Sequence, residues 1–225
     1  MAERKMFRTK GLIAFFLLTL IFSSCTDNNF KLQKGDLLFQ DLDCGELCNA
    51  IEKVTTGVDG KSFSHVAIVS KIDNDGKAYV IEAYDGVTET PLNDLLKRSL
   101  DKNGRPKVIV GRLLPEYQNI IPVAVSKAYK LVDKKYDKNF DLKNDSYYCS
   151  ELIYELFKYD DKGSQFEFFP LNIMTFKDPQ TEKTMDVWTK YFKELGIPIP
   201  EGKKGINPGA ISRSKKINVV HNYAL

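Results

Sequence analysis

Two hydrophobic periods alternate along this chain and divide it into short strands and amphipathic helices. Lys34-Gly35-Asp36-Leu37-Leu38-Phe39-Gln40 sets a Gly-Asp turn ahead of an apolar run, which predicts a first strand. From Leu42 to Val54 the apolar residues Leu47, Ile51 and Val54 recur at helical spacing, with Asp43 available as a cap. Gly57 to Lys61 is a loop. Phe63 to Ser70 is mostly apolar and β-prone, the pattern of a buried strand. Asn74-Asp75-Gly76 is a hairpin turn, and Ala78 to Ala83 is the return strand. Thr88 to Ser99 reads as a short helix with Pro91 near its start, and Lys107 to Leu113 as another strand. Ile120 to Val132 predicts an amphipathic helix with Val123, Ala128, Leu131 and Val132 inward. Residues 165–225 carry Pro170, Pro179, Pro198, Pro200 and Pro208. They read as an irregular wrap with one helix near Asp186 to Leu195 and a last strand over Ile217 to Val220.

One helix carries a candidate for chemistry. Lys143-Asn144-Asp145-Ser146 is a polar loop, and Leu152, Ile153, Leu156 and Phe157 follow at helical spacing. With Ser146 as N-cap, Cys149 falls in the first turn. Unpaired N–H groups and the positive end of the helix dipole stabilise an anion there, and the thiolate is the nucleophilic form of cysteine. The competing reading is a small buried hydrophobe, which describes most free cysteines.

The whole composition narrows the classes. The chain has 225 residues, 43% hydrophobic and 28% charged, with net charge +3. That suits one domain with a full core. The lysines are interleaved with acids, so no strongly basic face marks a nucleic-acid partner. Residues 1–24 stand apart. Arg4, Lys5, Arg8 and Lys10 form a positive segment, and Gly11 to Phe22 an apolar one of signal-peptide length. Phe22-Ser23-Ser24-Cys25 resembles a bacterial lipobox. The resemblance implies cleavage before Cys25, acylation of its thiol, a short tether over residues 25–32 and a domain over 33–225. An ordinary secretory peptide or an N-terminal anchor helix are the alternatives.

Export changes how the other cysteines are read. Cys44 and Cys48 could pair in an oxidising compartment, or stand as two core thiols; C-x-x-x-C alone offers too few ligands for zinc. Cys149 is then unpaired, and an odd cysteine in an exported protein calls for a chemical reason.

A thiolate needs a base to share its proton, and imidazole is suited to that near neutral pH. The chain has two histidines, His65 and His221. His221 lies near the end of the sequence, where fraying is expected. His65 begins one hairpin strand and Glu82 lies near the end of the other. Pairing about Asp75-Gly76 sets His65 opposite the region from Glu82 to Asp85, with cross-strand Cβ atoms about 5 Å apart. Glu82 in Tyr-Val-Ile-Glu-Ala-Tyr is either an outward-facing residue or a buried carboxylate that needs a partner.

Five blocks carry a family resemblance: Lys34-Gly35-Asp36-Leu37-Leu38-Phe39, Phe63-Ser64-His65-Val66-Ala67-Ile68-Val69, Val80-Ile81-Glu82-Ala83, Tyr136-Asp137 with Phe140, and Tyr147-Tyr148-Cys149-Ser150-Glu151-Leu152. Together they resemble the permuted papain-like amidases, the YiiX-like branch of the NlpC-type cysteine peptidase superfamily. Gly205-Ile206-Asn207-Pro208-Gly209-Ala210-Ile211-Ser212 is similar to C-terminal segments of bacterial members. The order histidine, glutamate, cysteine is the permuted one. The resemblance implies an α+β fold, with an antiparallel sheet or barrel packed against the helix that carries the nucleophile. It implies Cys149 as nucleophile, His65 as base and acid, and Glu82 as the group orienting His65. Ser64 and Tyr148 would line the cleft, and Asp36 would serve its turn.

No metal or cofactor is called for. The substrate expected is an amide in a peptide or a peptidoglycan fragment, with an acyl lipid as alternative. A non-catalytic surface-binding lipoprotein is the reading from a different class. The expected place is the bacterial cell envelope, with a membrane held through the N-terminal lipid.

Overall fold

The computed structural model describes residues 30–159 and 162–225. The readings of residues 1–24 as a leader and of Cys25 as a lipidation site lie outside the described residues. Lys31–Leu225 cluster as one unit. Among the described residues no helix is long and apolar enough to cross a membrane.

The chain runs β1 (Leu37–Gln40), α1 (Glu46–Val54), β2 (His65–Ile72), β3 (Ala78–Ala83), β4 (Val87–Pro91), α2 (Leu92–Lys97) and β5 (Val108–Leu113). It continues with α3 (Ile121–Leu131), α4 (Cys149–Leu156), β6 (Asn172–Ile173), α5 (Asp186–Leu195), β7 (Lys204–Gly205), α6 (Pro208–Ser212) and β8 (Ile217–Asn222). Six strands make an antiparallel sheet in the order β4-β3-β2-β1-β5-β8.

Burial on both faces explains the near-continuous apolar runs of the central strands. Leu37, Phe39, Val66, Ile68, Ile81 and Ala83 share one core with residues of α3 and α4. Leu38, Ala67, Val69, Val80 and Val108 pack against Leu95 of α2 on the opposite side. A third cluster joins Ala50 of α1 to Phe176, Trp188 and Phe192 of the C-terminal wrap.

Several sequence expectations are corrected. The segment read as a helix from Thr88 opens instead with β4, and the helix is confined to Leu92–Lys97. Pro91 is tolerated because β4 is an edge strand. α1 begins at Glu46 behind Gly45, with Asp43 outside it. A 3-10 turn over Pro115–Ile120 precedes α3, whose inward face holds Ala124, Val125 and Ala128, while Val123 is exposed. β8 extends to Asn222 and pairs His221 with Val110, so the histidine expected to fray is held in the sheet.

The cysteine alternatives resolve. Cys44 and Cys48 form a disulfide with Cα atoms 5.3 Å apart. Cys44 lies before α1 and Cys48 within its first turn, so the bridge ties the preceding loop to the helix. Cys149 is the free cysteine among the described residues.

Candidate active site

Strand register brings the first two residues together. β2 begins at His65 and β3 ends just past Glu82, so both lie at one end of the sheet. His65 Nε2 stands 2.6 Å from Glu82 Oε2, with His65 3% and Glu82 0% exposed. The carboxylate is turned inward. Its second partner is Arg98, just past α2, which donates from Nη1 to Oε2 and from Nη2 to Oε1, each at 2.7 Å. The Arg98 guanidinium also lies 4.1 Å from the Tyr84 ring centroid, and Tyr84 meets the His65 ring edge-on.

Cys149 is the first residue of α4, whose Leu152, Ile153 and Leu156 are buried against the sheet. The N-cap is Tyr148 rather than Ser146. The Glu151 carboxylate reaches back to accept the Tyr148 N–H at 3.2 Å. Ser146 N–H is taken by Asn144 Oδ1 in the preceding loop. The Cys149 thiol lies 3.8 Å from the carbonyl of Ser64, the residue just before β2, and is near enough to the His65 side chain to raise its pKa. With Nε2 engaged by Glu82, Nδ1 is the ring nitrogen left for sulfur. The structure therefore brings Cys149, His65 and Glu82 together, and leaves His221 elsewhere on the sheet.

The C-terminal wrap seals the helix start. Ser150 Oγ donates to the Ile206 carbonyl at 3.0 Å, and Ile206 N–H donates to the Tyr148 hydroxyl at 3.2 Å. Gly209 must be glycine, because a Cβ there would fall 2.0 Å from the Thr55 carbonyl oxygen. Ser64 Oγ accepts from Leu42 N–H and donates to Glu52, so that hydroxyl is committed to the fold. Asp36 does more than serve its turn. It accepts Gln33 N–H and takes a two-point ion pair from Arg112 of β5.

Charge at the site follows from these contacts. Burial opposes the imidazolium, but interactions with Cys149 and Glu82 outweigh it and push His65 up to about 9. Burial also opposes the Glu82 carboxylate, yet His65 and Arg98 hold its carboxyl well below the usual range. Glu151 is pushed up to about 8 by burial, with Asp137 and Glu155 adding to the rise.

Two cavities flank the sulfur and the ring. One, about 90 Å³, contains Cys149 and is walled by Ile51, Val54, Phe140, Met174, Phe176 and Trp188. The other, about 450 Å³, contains His65 and is walled by Tyr84, Asp85, Lys138, Glu194 and the Cys44–Cys48 disulfide. Ser64 and Tyr136 border both, and Tyr148 borders the first. Arg98 is the site residue that the sequence did not announce. The available signal was the chemistry of Glu82, since a buried strand carboxylate facing a single imidazole is short of partners.

The permuted papain-like amidase family (YaeF/YiiX, C92) matches residues 31–221. This chain belongs to that family. The chain aligns with the crystal structure of the protein described as metalloprotein YiiX from Escherichia coli O157:H7, at TM-score 0.66 and 21% identity. The alignment covers 86% of this chain and 98% of that one, and it bears on the fold alone. Among the described residues, no group of three or more His, Cys, Asp and Glu is arranged to hold a metal ion. No curated protein matches the chain. The family is one of cysteine amidase-type hydrolases.

Proposed function

We propose that this chain hydrolyses an amide bond through a thioester on Cys149, with His65 as acid and base and Glu82 orienting His65. The observation that carries the reading is the 2.6 Å bond between His65 and a fully buried Glu82, with the Cys149 sulfur set against the carbonyl of the residue next to His65. His65 takes the Cys149 thiol proton, the thiolate attacks the amide carbon, and the imidazolium so formed gives that proton to the departing nitrogen as the C–N bond breaks. A water molecule then attacks the thioester. His65 takes the water's proton, and the acid leaves. Glu82 accepts the Nε2 hydrogen throughout, which fixes tautomer and ring orientation. The Cys149 N–H, at the start of α4, is free of an intrahelical partner and is one donor for the developing oxyanion.

The two cavities orient the substrate. The acyl group stays bonded to sulfur and occupies the cavity of Cys149. The amine receives its proton from His65 and departs through the cavity of His65. The acyl cavity is walled mainly by aliphatic and aromatic side chains; three of its hydroxyls are committed, Thr55 to the Phe63 carbonyl, Ser64 to Glu52 and Ser150 to the Ile206 carbonyl, and Tyr136, Tyr148, Asn172, Thr175 and Asn207 are its other polar neighbours. These walls favour an apolar acyl group over the polar acyl part of a cell-wall peptide. A water-sized group needs about 10–15 Å³ of such space, so the cavity suits roughly six to nine heavy atoms. An acylated Cys25 would hold the domain at an envelope membrane, where apolar acyl amides are met.

A series of alkanoyl p-nitroanilides tests the reading. Turnover should peak at an intermediate acyl length and vanish in Cys149→Ala. Trp188 is the sole tryptophan and walls the acyl cavity, so its fluorescence should respond when Cys149→Ala binds the preferred amide. Turnover retained in Cys149→Ala would sink the nucleophile. Preference for the acetyl compound, with silent fluorescence, would sink the apolar acyl group.

A further inference from the structure

We propose that Arg98 is a positioning residue for this reaction, one that fixes the plane of the Glu82 carboxylate and, through it, the ring of His65. The inference rests on the Cys149–His65–Glu82 reading. A carboxylate held at one oxygen can turn about its own axis and swing the other oxygen toward the donor. Glu82 is held at both. Oε2 is shared between His65 Nε2 at 2.6 Å and Arg98 Nη1 at 2.7 Å, and Oε1 takes Arg98 Nη2 at 2.7 Å. Two parallel bonds from a planar guanidinium leave the carboxylate one orientation, which a lysine, a point charge, does not impose.

Arg98 is itself delivered from a fixed place. Gln40 of β1 donates from Nε2 to the Leu95 carbonyl at 2.8 Å, and the Arg98 N–H bonds to the same carbonyl at 3.2 Å. Gln40 is the β1 partner of His65 on β2, so the strand paired with the base's own strand anchors the helix end that carries Arg98. The Tyr84 ring lies against the guanidinium, its centroid 4.1 Å from the central carbon. The charged and titratable groups facing this unit are Glu82, Tyr84 and Asp94 around Arg98, and Cys149 and Glu82 around His65.

Arg98 borders neither cavity, although Tyr84 beneath it borders the His65 side. It therefore does not touch the substrate, and its removal should appear in kcat rather than in KM. Removal also leaves a guanidinium-shaped gap that a free guanidinium ion can refill.

The test uses the full chain, an alkanoyl p-nitroanilide, and the ring nitrogen NMR signals of the histidines. With two histidines in the sequence, His221→Gln assigns His65. Arg98→Ala should lower kcat by about ten- to a hundredfold, the scale of a misplaced reacting group, with KM little changed. It should also shift the His65 signal. Millimolar guanidinium should restore both kcat and signal, and sodium chloride of equal ionic strength should restore neither. Arg98→Lys should keep the fold and fall between the two. Wild-type kcat with an unmoved signal in Arg98→Ala, a loss confined to KM, or no rescue by guanidinium would overturn the proposal. If Arg98→Ala does not accumulate folded, wild-type values in Arg98→Lys overturn it equally. A wild type that turns over no probe would instead sink the reading of the triad, and the His65 signal would still judge Arg98.

Discussion

His65 and Glu82 meet at 2.6 Å although they lie 17 residues apart and on different strands. Hairpin geometry alone sets the two positions close, and burial then makes their contact obligatory for both groups. Glu82→Gln keeps the shape and removes the charge. A glutamine can turn its oxygen toward His65 or toward Arg98, and its amide then sets donor against donor at the other. Turnover should drop by about a hundredfold, within the range that positioned acid–base catalysis contributes. Stability should fall by about 2–3 kcal/mol, because charged hydrogen bonds are lost and Arg98 keeps a buried, poorly matched partner. Steady-state kinetics and thermal unfolding measure the two losses, and wild-type rates would remove Glu82 from the reaction.

Cys149→Ala should separate chemistry from folding. The side chain is small and buried at the first position of α4, and alanine occupies that place without strain. Turnover should vanish, while the unfolding midpoint moves by about 1 kcal/mol or less of stability, the scale of one buried methyl-sized group. Circular dichroism melting beside the amidase assay checks both.

How much of this was legible beforehand depends on how local each signal is. The hairpin of β2 and β3 was readable because β-prone runs flank an Asn-Asp-Gly turn, and α4 because its apolar stripe is strong. Tyr148 displaced Ser146 as cap because Glu151 and Ile206 hold it from positions the local pattern does not connect. β4 was hidden because Thr88, Glu89, Thr90 and Pro91 carry no strand alternation, and an edge strand needs little. Arg98 could not be placed from the sequence. Its role comes from the docking of α2 on the far face of the sheet, which a short segment ending in Lys97-Arg98 does not specify.

Stability should decline as pH rises through the neutral range, for two separable reasons. His65 is raised from 6.5 to about 9, so its contribution is complete below about 6.5 and lost as pH climbs through about 9. Glu151 is raised from 4.5 to about 8, so the folded state holds a proton that the unfolded chain has released, and stability falls between those values. Glu82 acts with the opposite sign. Its depressed carboxyl contributes above about 4.5, and that contribution fades only in strong acid. Thermal unfolding from pH 5 to 9.5 should therefore show a falling midpoint. Glu151→Gln should flatten the lower part of the slope, and His65→Gln the upper part. A midpoint that rises with pH over that range would contradict both assignments.

The disulfide offers a test of how α1 serves the cleft. Cys44 and Cys48 bridge across the start of α1, whose Ile51 and Val54 wall the acyl cavity, and the bridge itself walls the cavity of His65. The loop it closes is short, so loop-closure entropy accounts for only about 2 kcal/mol. Replacing both cysteines with serine should lower stability by that amount. The larger effect should fall on binding, because the wall loses its anchor while Cys149, His65 and Glu82 keep their contacts. KM for the preferred alkanoyl p-nitroanilide should rise several-fold, with kcat within about twofold of the wild type. A fall in kcat with KM unchanged would instead mean that α1 supports the catalytic groups themselves, through the Ser64–Glu52 hydrogen bond at the root of β2.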